Sequence, residues 1–167
     1  IDAIQLSGSA DTPGQAAVTA TYTPAAQFSG VDTFQFVVSD GEGSSDPATV
    51  TVTVGSTNDA PSFDAIADVT VDEDSGAYIV SVTGINPGGG DDEADQTVTI
   101  TVDAADATVV DAPSVSQVDV TADITITPAA DASGSVVVTV TATDSGDATS
   151  PSVNTYSQDF KIGRAHV

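Results

Sequence analysis

Asn58 and Asp59 in the stretch GSTNDAP, and Asp144 and Asp147 in the stretch TDSGD, are the side chains whose types invite chemistry. All four offer hard oxygen donors. Calcium takes about 6–8 such ligands from carboxylates, carbonyls and water, and it is the only cofactor these residue types call for. Further acids stand at Asp72, Glu73 and Asp74, and in a loop at Asp91, Asp92, Glu93 and Asp95. The loop acids read as solvated, because the segment NPGGGDDEAD is glycine-rich and carries neither an EF-hand nor a nonapeptide calcium pattern. Asp72, Glu73 and Asp74 also read more simply as a solvated face. Two roles stay open for Asp59 and Asp144: metal ligand, or ordinary turn chemistry at a strand end.

The same inventory excludes most catalysis. There is no cysteine, and the single histidine and both basic residues lie in the last seven positions. A histidine general base and most activated nucleophiles are therefore missing from residues 1–160. Paired carboxylates could hydrolyse glycosides, but such sites need a cleft and usually aromatic sugar platforms. There is no Trp, and Phe28, Phe34, Phe36, Phe63 and Tyr78 sit where core or linker packing explains them. Gly88-Gly89-Gly90 has no lysine and no following helix, which rules out a phosphate loop. The expectation is a protein that is not an enzyme.

Charge points the same way. With 25 acidic residues against 2 basic ones, the formal net charge is -23. Such a surface repels nucleic acid and anionic lipid, so neither a nucleic-acid partner nor direct membrane insertion is expected. It also repels itself and favours a cation-rich, extracellular setting. The absence of cysteine removes any disulfide framework, which fits a bacterial surface better than an animal one. No apolar run is long enough to span a membrane. The missing start Met and signal peptide fit an internal fragment.

The elements that must position these acids are strands. Apolar residues make up 40% of the chain, aromatics 5%, and Val and Thr dominate the periodic segments. In residues 1–57, residues 1–16 read as loop, Ala16–Thr23 as a strand, and Asp32–Ser39 and Ala48–Val54 as a closing hairpin with alternating faces. Residues 58–61 form a short linker stiffened by Pro61. Residues 62–160 carry strand candidates at Ala67–Val71, Tyr78–Val82, Val98–Val102, Val115–Val120, Ile124–Thr127, Val136–Thr143 and Thr155–Phe160. Seven strands in about one hundred residues is what an immunoglobulin-like sandwich needs. Residues 161–167 read as a non-native tail. Ile162–Val167 is what a common short-read sequencing adapter encodes in one frame, and its two preceding bases would complete the Lys161 codon.

An internal repeat ties the two parts together. Pro24-Ala25-Ala26-x-x-Ser29-Gly30 recurs as Pro128-Ala129-Ala130-x-x-Ser133-Gly134, and Asp40 recurs as Asp144, all at one offset of 104 residues. The fold expected is all-β: two tandem Greek-key sandwich modules, the first truncated at its N-terminus.

These residues resemble a known class. T-P-A-A-x-x-S-G, a strand, S-D-G or T-D-S-G, then V-T-V-T-V and N-D-A-P is similar to the bacterial tandem cadherin-like and immunoglobulin-like repeats. Those repeats occur in very large secreted or surface proteins, many of them adhesins, and the resemblance covers residues 17–160. Of the cadherin linker D-x-N-D-N-x-P-x-F, Asn58, Asp59, Pro61 and Phe63 match, while Ser56 and Ala60 depart from it. The A-x-D-x-G element is complete as Ala142-Thr143-Asp144-Ser145-Gly146, and V-x-E occurs as Val71-Asp72-Glu73. The resemblance implies that Asp144 faces the linker holding Asn58 and Asp59, and that Glu73 faces the junction after the second module. The family's D-R-E and mid-domain D-x-D elements are absent, so one reduced Ca²⁺ site from Asn58, Asp59, Asp144 and Glu73 is the most it implies. It further implies a structural or adhesive spacer in an extracellular or cell-surface protein, with neighbouring repeats and a cell-surface protein or glycan as partners. The alternative is an accessory carbohydrate-binding or spacer module of a secreted polysaccharide-degrading enzyme.

Overall fold

The structure is a computed structural model, and it describes residues 3–7, 18–72, 75–149 and 152–165. The described residues contain strands and turns and no helix, so none is long and apolar enough to cross a membrane. The chain divides into two compact units, Ile1–Ser56 with Gly90–Asp92, and Thr57–Gly89 with Glu93–Val167.

The first unit holds two antiparallel pairs. β1 (Ala3–Ser7) pairs with β2 (Thr19–Thr23), and β3 (Gly30–Phe36) pairs with β4 (Ala48–Val54). β1 corrects the expectation of a loop at residues 3–7, and the rest of residues 1–16 lies outside the described residues. Its AIQLS run is short, but Ile4 and Leu6 fall in register with Tyr22 and Ala20, and pairing supplies what the local sequence does not. In the β3–β4 hairpin Phe34 stands opposite Val50, and Phe34, Val50, Val52 and Val54 are half-buried. Phe36 and Val38, expected on the same inward face, are exposed. The ladder ends at Phe36, and the chain then bends toward the Asp40 turn.

The second unit is a sandwich of two sheets. One has the order β5 (Val69–Asp72), β11 (Thr155–Ala165), β10 (Gly134–Asp144), β7 (Val98–Ala104). The other has the order β6 (Tyr78–Val82), β9 (Thr121–Ile126), β8 (Ser114–Val118). Every pairing is antiparallel except β5 with β11, which is parallel. Alternation along each strand sends Val80, Val82, Ile124, Ile126, Val138, Val140, Phe160 and Ile162 into one core. Each such side chain contributes roughly 1.5–3 kcal/mol by leaving water.

Two sequence expectations shift here. Asp119 and Val120 were expected in a strand but form the β8–β9 turn, with Asp119 at φ 54°. Asp tolerates that left-handed geometry because its short side chain bonds locally. β11 does not stop at Phe160. It runs on to Ala165, with Ile162 opposite Val136 and Val69 and only 1% exposed. Residues 161–165 of the segment set apart as a tail are thus paired in the sheet, and residues 166 and 167 lie outside the described residues.

The 104-residue repeat is visible as geometry. Gln27 and Gly30 have φ 61° and 123°, and Asp131 and Gly134 have φ 54° and 121°. The turn hydrogen bond Phe28 N–H to Ala25 C=O (3.2 Å) recurs as Ala132 N–H to Ala129 C=O (3.4 Å). Gly30 and Gly134 each open a strand at a φ that only glycine enters freely. Each unit thus builds the same turn into the same kind of strand.

Candidate metal centre

β10 aims Asp144 inward. Its side chains alternate, and Val136, Val138, Val140 and Ala142 fill the core in turn. Asp144 takes the next inward position, so a carboxylate continues an apolar row and is 5% exposed. Burying a carboxylate costs heavily unless partners replace water. Asp144 Oδ1 accepts the Gly146 N–H at 2.7 Å. Asp40, its counterpart in the repeat, accepts the Glu42 N–H at 3.0 Å through the same local geometry. Asp40, however, is exposed.

The difference is Asn58. Its backbone is anchored in the second unit, where its N–H donates to Ser152 Oγ (3.2 Å) and its C=O accepts the Val153 N–H (3.1 Å). Its side chain is buried, and Nδ2 lies 3.2 and 3.3 Å from Asp144 Oδ1 and Oδ2. The same nitrogen lies 2.8 Å from the Val153 C=O and 3.1 Å from the Asp59 C=O. An amide nitrogen has two hydrogens, yet four oxygens crowd it. Asn58 Oδ1 in turn accepts Gln96 Nε2–H at 2.7 Å.

Glu93 closes the other side. The loop expected to be solvated instead buries this residue to 1% exposure. Its Oε1 accepts the Asp59 N–H at 3.1 Å, and its C=O accepts the Gln96 N–H at 3.0 Å. Glu93 Oε2 is buried with no hydrogen-bond partner, and so is Gln96 Oε1. The backbone is tight around both. A Cβ on Gly88 would come within 3.2 Å of Glu93 Oε2 and 3.1 Å of Asp59 Cβ, and a Cβ on Gly146 would collide with Asn58.

Of the residues singled out in the sequence, Asn58 and Asp144 are in direct contact, and Asp59 joins them through its backbone. Asp147 is exposed and caps its own turn, accepting the Thr149 N–H at 2.9 Å. Glu73 lies outside the described residues. Glu93 and Gln96 are what sequence reasoning missed. Among the described residues no three Asp, Glu, His or Cys side chains group closely enough to hold a metal by themselves. A cation here would draw on amide and carbonyl oxygens as well. Calcium, which takes carbonyl, amide and carboxylate oxygens together, fits that donor set, and the two orphaned buried oxygens are what such an ion would satisfy.

A cleft of about 390 Å³ adjoins this cluster through Gln96 and is lined further by Ile85, Pro87, Val98, Gln117 and Asp119. It contains one carboxylate, Asp119, where glycoside hydrolysis takes two.

A sequence similarity to a known family falls on the first unit. The sequence profile of the bacterial Ig domain family matches residues 2–53. No curated protein matches the chain. Among solved structures, domains 4 and 5 of the S-layer protein SbsC are similar at 19% identity and a TM-score of 0.43, over 80% of this chain and 58% of that one. The endo-fucoidan hydrolase MfFcnA9 of glycoside hydrolase family 107 is similar at 17% identity and a TM-score of 0.38, over 97% of this chain and 28% of that one. This chain therefore spans less than two thirds of either protein. The first unit is similar to bacterial Ig domains, and the second, beyond that match, is itself an all-β Ig-like sandwich.

Proposed function

We propose that this chain is part of an extended array of Ig-like modules in a large extracellular bacterial protein. It acts as a structural spacer of the adhesin kind, with calcium held at Asn58, Asp59 and Asp144 where the second unit begins. The observation that carries the spacer role is the recurrence of one turn, with matching φ angles at Gln27 and Asp131 and at Gly30 and Gly134. Tandem copies of one module serve length and presentation. Each copy can be small because it needs only its own core and its neighbours.

The charge supports the calcium. A surface with 25 acids repels itself in a cation-poor medium, and an ion that binds only the folded module stabilises it by mass action. The bacterial Ig match over residues 2–53 supports the bacterial setting. The partners proposed are neighbouring modules of the same protein and the cell-surface protein or glycan at the end of the array.

The test is a glycan array probed with residues 1–167. A spacer retains no glycan. Saturable binding to one polysaccharide class would overturn the spacer role in favour of an accessory carbohydrate-binding module.

A further inference from the structure

We propose that Glu93 is the anchoring carboxylate of a calcium site complete within the second unit, joined by Asp144, Asp59 and the amide oxygens of Asn58 and Gln96. This rests on the calcium proposed above and changes where its ligands come from. The set implied by sequence resemblance drew on Glu73 and not on the loop after Gly90. Asn58, Asp59, Glu93, Gln96 and Asp144 all belong to the second unit.

The argument is a count of donors against acceptors. Two hydrogens on Asn58 Nδ2 face four oxygens between 2.8 and 3.3 Å. Two more oxygens, Glu93 Oε2 and Gln96 Oε1, are buried with no donor. Buried polar atoms in folded proteins are nearly always paired, so a surplus of this kind marks a missing positive partner. Among the described residues no hydrogen bond or ion pair supplies one, and the chain's only Lys and Arg are Lys161 and Arg164. In the β10–β11 ladder Lys161 stands opposite Val137 and Arg164 opposite Gly134, toward the end of β10 away from Asp144. Glu93 is the least solvated acid in the cluster, at 1% exposure, and its free oxygen sits beside Asp59 and Gly88. A carboxylate so placed is uncompensated without a cation and satisfied with one.

The experiment is calcium titration calorimetry together with thermal melting of residues 1–167, comparing the parent chain with Glu93→Gln and Asp95→Asn. Asp95 is an exposed acid of the same loop. Glu93→Gln should weaken calcium binding by about tenfold or more, because affinity follows the charge of the ligands, while Asp95→Asn should leave it within about twofold. Melting should cross over. In chelator Glu93→Gln should melt at or above the parent temperature, having lost a buried uncompensated charge, and in calcium it should melt below it. Equal calcium affinity in the parent and Glu93→Gln would overturn the role of Glu93 and leave calcium at Asn58, Asp59 and Asp144 standing. Equal destabilisation in calcium and in chelator would likewise overturn it, reducing Glu93 to a hydrogen-bond acceptor for Asp59. No calcium binding by the parent chain would overturn both.

Discussion

Asn58 and Asp144, 86 positions apart in the chain, meet side chain to side chain, with the amide nitrogen 3.2 and 3.3 Å from the two carboxylate oxygens. Both are buried. This contact ties the first residues of the second unit to the end of β10, its central core strand. It also sets the local problem, because an amide alone cannot satisfy the oxygens gathered there.

Gly146 tests how tightly the pair is held. A methyl group there collides with Asn58, whose side chain is fixed by hydrogen bonds on several sides and has nowhere to turn. Gly146→Ala should cost about 1–3 kcal/mol, the usual range for overpacking. Gly43→Ala, where a Cβ meets nothing within 4 Å, should be near neutral. Urea unfolding of both variants checks this; equal midpoints would contradict it.

Much of this was legible in the sequence, and for identifiable reasons. Val/Thr alternation located every strand of the second unit because alternate positions must enter one core. Asn58 and Asp144 could be paired because each sits in a recognisable short motif. Glu93 could not. A glycine-rich run of acids has the same composition whether its carboxylates face water or a buried cluster, and only the path of the loop decides. The one signal was slight: a single Glu among aspartates, three residues before the amide of Gln96. β1 was missed because a five-residue strand with one or two large apolar side chains owes its conformation to its partner.

Exposed turn aspartates should shape the acid limb of stability. The Thr108 hydroxyl and N–H, bonded to Asp106 at 2.6 and 2.8 Å, hold its carboxyl below its ordinary 3.8. Backbone N–H groups do the same for Asp40, with Gly43 first and Glu42 next. A carboxyl whose folded value is depressed adds stability that is present above 3.8 and lost as pH falls through the folded value. Thr108→Ala should therefore move the Asp106 midpoint back toward 3.8 and flatten the loss of stability below it. Carboxyl-carbon NMR titration reads this directly; an unmoved midpoint would contradict it.

The end of β11 offers a third check. Ending the chain after Phe160 removes Ile162 from the core and strips β5 of its parallel partner residues Ile162 to Ala165. Loss of one buried Ile costs about 2–5 kcal/mol, so the truncated chain should unfold well below the parent. An unchanged unfolding midpoint would mean that these residues pack without contributing. Resequencing the locus decides separately whether residues 161–167 are native.

The most direct test of the account is differential scanning calorimetry of residues 1–167 in millimolar calcium and in chelator. An ion at one hundred times its dissociation constant adds about 2.7 kcal/mol to the folded state. For a module of this size that raises the melting temperature by roughly 10 °C or more. The account predicts that rise in the transition of the second unit, with magnesium at equal concentration giving much less. Superimposable traces with calcium and with chelator would contradict it.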